Sequence, residues 1–341
     1  MNRRTGYPGT EFTSPICIFG SPRFGTTWLG KIFDSHPATL YRHEPDSGSA
    51  LQDVPVHAVP DPDSESARRL KAFLAELPTQ RSLKVCGKLP LFPKRYLSGW
   101  RGAVHRSSVY SAKIASSWLQ LPILEPVDRK HGTPRPVWKS IESTGRAGLV
   151  ARLDSGIRVF LLVRHPCGQI DSTLRGEADR RFTDDCPSAD DWGIFERLLE
   201  TPQAQRRGLS LDQLRGCSAV ERLAWRWLLF NEKAMEELQG LPNARVIRYE
   251  SLCERPMETA GELLEFAGLE WEPAVEAFLT RSSQRDDGRY YSVNRDPLAA
   301  ANGWRERLDR PTIESIRAVV AGSEPGALFE QSFADSEPGQ A

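Results

Sequence analysis

Pro15-Ile-Cys-Ile-Phe-Gly20 is a short apolar run that ends on glycine and gives way at once to the turn Ser21-Pro-Arg-Phe-Gly25. From Thr26 the apolar residues Trp28, Leu29, Ile32 and Phe33 recur at helical spacing, and His36-Pro37 stops the pattern at about Ser35. A run without polar alternation, feeding a glycine-bounded turn and then an amphipathic helix, opens a sheet that is covered on both faces. The same grammar returns mid-chain. Ile157-Arg-Val-Phe-Leu-Leu-Val163 is followed by Arg164-His165-Pro166 and a helix through about Arg175. A third strand, Ala244 to Tyr249, follows a long amphipathic helix from about Ser218 to Gln239, and residues 256–268 and 311–320 read as further helices. Strands alternating with helices predict an α/β fold, a three-layer sandwich with a central parallel sheet flanked by helices.

The first turn sits where free backbone N–H groups and the positive end of a helix dipole converge, which suits a phosphate or sulfate. The spacing of Gly20 and Gly25 fits the P-loop pattern G-x-x-x-x-G-K-[ST], but Thr26 stands where its lysine belongs. The cation lies inside the turn instead, at Arg23. The mid-chain strand ends in Arg164 rather than in an aspartate suited to magnesium. The expectation is a P-loop-type fold that neutralises its anion with arginine and lysine, without a metal, which argues against ATP or GTP chemistry. Arg164 at a strand end and Ser172 two turns into the next helix would lie at the mouth of the sheet, where open α/β folds take their ligands.

Forty-five Lys and Arg balance forty-five Asp and Glu over 341 residues, so a nucleic-acid partner is not expected. Cys17, Cys86, Cys167, Cys186, Cys217 and Cys253 are scattered without a C-x-x-C pair, and reduced thiols in a cytoplasmic protein are the expectation. No apolar run approaches the ~18–20 residues of a membrane span. The stretch from Glu44 to Pro136 differs from the rest, with eleven of the 25 prolines and one helix, about Ser64 to Leu77, capped by Asp63 or Ser64. From Leu77 to Leu124 it has no acidic residue but eight basic ones, Arg81, Lys84, Lys88, Lys94, Arg95, Arg101, Arg106 and Lys113. Either their partners lie elsewhere in the fold or they face an anionic ligand.

Gly20-Ser-Pro-Arg-Phe-Gly-Thr-Thr-Trp28, Asp34-Ser-His-Pro37 and Leu162-Val-Arg-His-Pro166 with Ser172 resemble the two signature segments of the PAPS-dependent sulfotransferases. PAPS is 3′-phosphoadenosine 5′-phosphosulfate. The resemblance spans roughly residues 15–310 and is nearest to the bacterial and Golgi-type branch, which includes the tyrosylprotein sulfotransferases. It implies one domain over 1–341, with 45–136 as an acceptor-side insertion and 333–341 as a frayed tail.

The resemblance further implies that the turn Arg23, Phe24, Gly25, Thr26 and Thr27, running into Trp28, holds the 5′-phosphosulfate, and that Arg164 and Ser172 hold the 3′-phosphate. It makes Tyr249 a nucleotide contact, and Tyr291-Ser-Val-Asn-Arg295 with Trp304 and Arg305 a late loop over the nucleotide. A packed strand-end tyrosine and a core tryptophan are the competing readings of Tyr249 and Trp304. Phe24 replaces the usual serine of the turn. Glu44, in Tyr41-Arg-His-Glu-Pro45, matches the catalytic base of the tyrosylprotein branch. Arg23 and either Lys139 or Lys88 would stabilise charge on the leaving oxygen. Lys88 stands where cytosolic enzymes carry a histidine base; His43, His105 and His131 are other possible bases. The implied reaction moves a sulfuryl group to a hydroxyl of a small-molecule, carbohydrate or lipid acceptor, with a peptide tyrosine also open and an anionic acceptor favoured by the basic stretch. A P-loop kinase and a non-catalytic PAPS/PAP-binding protein are the alternatives.

Overall fold

The computed structural model describes residues 14–334 apart from 49, 117, 120, 122, 129, 131, 180–185 and 285–295. Five strands form one sheet: β1 (Ile16–Phe19), β2 (Thr39–His43), β3 (Arg135–Ser140), β4 (Arg158–Val163) and β5 (Ala244–Arg248). All neighbours run parallel, in the order β2-β3-β1-β4-β5. β1 is central, and all four of its residues are fully buried, as its unbroken apolar sequence requires.

The helices are α1 (Thr26–Ser35), α2 (Glu65–Glu76), the single turn α3 (Leu83–Cys86), α4 (Trp100–Ala115), α5 (Ala147–Leu153) and α6 (Pro166–Ala178). The longest, Ala219–Leu238, follows them in the chain. α1 packs against β2, β3 and the helix Pro273–Gln284, whereas Ala219–Leu238 packs against α5, α6, β4 and β5. With right-handed crossovers these two groups cover opposite faces of the sheet. After β1 the chain leaves through α1 toward the β2 edge; after β4 it leaves through α6 toward the β5 edge. Neighbouring strands whose chains depart in opposite directions open a crevice at their carboxyl ends, and that crevice is where a ligand can enter.

The expected elements recur within a residue or two. Ser64 caps α2, its hydroxyl accepting from the Ala67 amide at 3.1 Å, and Ser218 with Glu221 forms a reciprocal capping box on the long helix. Several expectations need correction. The stretch from Glu44 to Pro136 holds α4 as well as α2, and β2 and β3 flank it. Tyr249 does not end a strand but opens the helix Tyr249–Glu254. The tail is not frayed from 333, because Phe333 lies in the helix Glu330–Ala334 and is buried against His165, ring centroids 4.6 Å apart.

β2 lies in the sheet despite its charge because Arg42 is fully provided for. Its guanidinium grips both oxygens of buried Glu125, at 2.6 and 3.2 Å, and donates to the Leu77 and Pro78 carbonyls at 3.2 and 2.7 Å. The pair ties the end of the proline-rich stretch to the sheet edge.

Candidate active site

At the β1–β4 crevice the turn after β1 adopts a conformation that few residues tolerate. Arg23 has φ 73°, in the left-handed region. Arg164 holds it there, Nη1 donating to the Arg23 carbonyl at 2.7 Å while Nη2 donates to the Ala300 carbonyl at 2.6 Å. The Arg23 side chain reaches across to α6, its Nε donating to the Ser172 hydroxyl at 3.0 Å. Arg164 also lies over the Tyr249 ring, 4.9 Å from its centroid. The two grips expected at separate ends of a ligand are thus one contiguous cluster.

Gly25 completes the turn with φ 88° as the residue before α1, and it gives the helix no side-chain cap. The Trp28 amide donates to the Gly25 carbonyl at 2.9 Å, which leaves the amides of Thr26 and Thr27 for an anion. A Cβ on Gly25 would lie 2.4 Å from Cε2 of Tyr249, so the tyrosine ring is seated directly on the glycine. Gly25→Ala is expected to destabilise the fold by about 1–2 kcal/mol from the backbone alone, and by more as the ring is displaced. Thermal unfolding measures it, and an unchanged midpoint would mean that the turn relaxes freely.

On the other side of β1, β3 runs in register with β2, His43 opposite Lys139. The Glu44 amide adds one more bond to that ladder, donating to the Lys139 carbonyl at 2.8 Å. Glu44 then turns sharply, with φ 48°. Arg23 and Glu44 are the two non-glycine residues with left-handed backbone among the described residues. Such strain concentrates where function demands a particular placement. The Lys139 ammonium donates to Glu44 Oε1, and the lysine side chain is 1% exposed against 16% for the glutamate. Burial lowers the Lys139 pKa, an effect that Glu44 partly offsets.

Asp46, which the sequence did not single out, fixes this corner. Its buried carboxylate accepts from Trp138 Nε1 at 3.1 Å and from the Ser140 and Ser143 hydroxyls at 2.5 and 2.6 Å. The segment after Glu44 is thereby bolted to the end of β3.

No family profile matches the chain. Carbohydrate sulfotransferase 7 of Rattus norvegicus is 26% identical over 93% of this chain and 73% of its own length. The Mus musculus protein of the same name is 26% identical over 94% and 77%. The chain is thus similar to proteins named sulfotransferases over nearly its whole length. Among solved structures, the sulfotransferase domain from the curacin biosynthetic pathway aligns over 91% of this chain and 97% of that one, with TM-score 0.44 and 14% identity. The domain from the Synechococcus PCC 7002 olefin synthase aligns over 92% and 98%, with TM-score 0.43 and 16% identity.

The structure gathers the expected residues into two groups. Arg23, Gly25, Arg164, Ser172 and Tyr249 come together in the β1–β4 cluster, with the α1 start, Thr26 and Thr27, beside them. Tyr249 is buried and packs under Gly25 and Arg164, as a packed tyrosine would, although it opens a helix rather than ending a strand. Trp28 supports that wall, edge-on to Tyr249 at 6.4 Å, with its indole nitrogen donating to Ser282 at 3.1 Å. Glu44 and Lys139 form the second group. Lys88 is half-buried, and its pKa is lowered by burial and then by Lys139, with Glu44 opposing. Its backbone is held in place as the Lys31 ammonium donates to the Lys88 carbonyl at 2.6 Å.

Other expectations fail. Phe24 is fully buried in the core, and its amide donates to the Ser21 carbonyl at 3.3 Å, so it offers a ligand no open face. The left-handed backbone at Arg23 turns the phenyl ring inward. Trp304 follows its core reading, stacked on His165 with centroids 4.3 Å apart and planes 18° from parallel. Arg295 and His131 lie outside the described residues.

Of the other histidines, His43 bonds to the Tyr41 hydroxyl at 3.0 Å, and burial together with Lys139 pulls its pKa down to about 2. It stays neutral and is a poor proton acceptor. His105 is engaged with the Leu124 carbonyl at 2.9 Å.

The eight basic residues are not all unopposed. Lys94 pairs with Asp34 at 3.0 Å, Arg101 with Asp128 at 3.0 Å, Arg81 with Glu125 at 3.6 Å, and Arg95 with Glu272.

Proposed function

We propose that this protein is a sulfotransferase that moves a sulfuryl group from PAPS to an acceptor hydroxyl, releasing 3′-phosphoadenosine 5′-phosphate, with Glu44 as the base. The observation that carries the reading is the convergence of Arg23, Ser172 and Arg164 at the sheet crevice, with Glu44 at the end of β2. PAPS supplies the activated sulfur and a phosphate leaving group. The chain supplies the rest. Arg23 and the uncapped amides of α1 neutralise charge on the donor. Glu44 accepts the proton of the acceptor hydroxyl as its oxygen bonds to sulfur and the bond from sulfur to the 5′-phosphate oxygen breaks. Lys139, buried beneath Glu44, would position that carboxylate, and charge on the reacting groups would then fall to half-buried Lys88.

A carbohydrate hydroxyl is the acceptor class we favour, since the curated relatives bear that name. The deciding experiment combines calorimetry with transfer of labelled sulfate over a panel of glycans. Binding of 3′-phosphoadenosine 5′-phosphate at least ~10-fold tighter than ATP is expected from the additional charged hydrogen bonds, with transfer that survives EDTA. Equal affinity for ATP would reject the donor, and binding without any transfer would leave a nucleotide-binding protein.

A further inference from the structure

α4 is attached by one side only. Gly102, Val109 and Ala112 are buried, the latter two in a small apolar cluster with Leu83, Cys86 and Leu91. The opposite side presents Trp100, Ala103, Ser107, Tyr110 and Ile114, all exposed, at the alternating three- and four-residue spacing that aligns along a helix. Ile114 is 83% exposed, and just past the helix Trp118 is 91% exposed. Six of the twelve exposed large apolar side chains among the described residues fall between Trp100 and Leu124, so they form a concentration rather than a scatter.

The charge beside this stripe has one sign. No acidic residue occurs from Leu77 to Leu124, and the exposed Arg106 and Lys113 of α4 have no carboxylate partner among the described residues. A second copy of the chain docking here would set basic against basic. The stripe runs along a convex helix of 16 residues, with aromatic side chains at its start and beyond its end. That shape suits a plane into which side chains sink. Tryptophan and tyrosine favour the boundary between headgroups and acyl chains.

We propose that α4 rests on an anionic lipid surface, Trp100, Tyr110, Ile114 and Trp118 entering the headgroup boundary while Arg106 and Lys113 meet lipid phosphates and carboxylates. The attachment is peripheral. No described helix is long and apolar enough to cross a membrane. α3 touches both α4 and β2, the strand that Glu44 follows. The proposal is independent of which acceptor is sulfated.

The test is co-sedimentation of the full chain with vesicles of phosphatidylcholine alone or mixed with phosphatidylserine. Binding to the mixed vesicles, weak binding to neutral ones, and loss as salt rises are expected. Ile114→Glu combined with Trp118→Ala should weaken that binding about 10-fold or more. Arg106→Glu and Lys113→Glu should each weaken it about 5-fold. All four positions are exposed, so unchanged thermal unfolding should verify that the variants are folded. Failure of the folded chain to bind phosphatidylserine vesicles overturns the proposal, as does equal binding by the variants. A dimer in sedimentation velocity that the variants abolish, without vesicle binding, would assign the face to a second copy and also overturn it.

Discussion

Glu44→Gln is expected to reduce turnover roughly 10²–10⁴-fold, the range for loss of a general base, while affinity for 3′-phosphoadenosine 5′-phosphate stays at the wild-type value. Glutamine preserves the shape, and its carbonyl oxygen can still accept from Lys139, so the corner held by Asp46 should survive. What disappears is a carboxylate able to take a proton. Single-turnover transfer of labelled sulfate measures the loss, and calorimetry measures the affinity. Full activity would remove Glu44 from the chemistry. A parallel fall in nucleotide affinity would show instead that the carboxylate serves binding.

Arg164→Ala should weaken nucleotide binding by about 1.5–3 kcal/mol, roughly 10–150-fold, as for a lost hydrogen bond to a charged group. The arginine does two things in this structure. It holds the Arg23 carbonyl, and with it the left-handed turn, and it brings a positive charge to the crevice over Tyr249. Arg164→Lys separates the two, since lysine restores the charge without the planar fork. Partial recovery of affinity is expected from that variant. Wild-type affinity in the alanine variant, measured by calorimetry, would exclude Arg164 from the anion site.

The sequence was most legible where local rules act alone. β1, its turn and α1 follow from an apolar run, two glycines and a helical period, and the helix spans Thr26–Ser35 as expected. β2 and β3 escaped notice because Arg42, His43 and Lys139 interrupt their apolar pattern while being buried in the sheet. The buried charges of Arg42 and Lys139 are tolerated because Glu125 and Glu44 answer them, and no local pattern announces a partner 83 or 95 residues away. α4 was missed for a different reason. Its outer face carries the large apolar residues Trp100, Tyr110 and Ile114 while its buried face is Gly102, Val109 and Ala112, so the apolar pattern does not mark which side is buried. Phe24 shows how a motif can mislead, since its position suggested the ligand side until the backbone at Arg23 rotated it away.

Two side-chain-bearing residues, Arg23 and Glu44, occupy backbone territory that glycine would enter without penalty. Glycine would relieve the backbone at either position, but at Glu44 it would strand the buried Lys139 ammonium and at Arg23 it would remove the bond to Ser172, so local strain and the fold's stability are tied together here. An engineer seeking a more robust version of this fold should leave both untouched and work elsewhere.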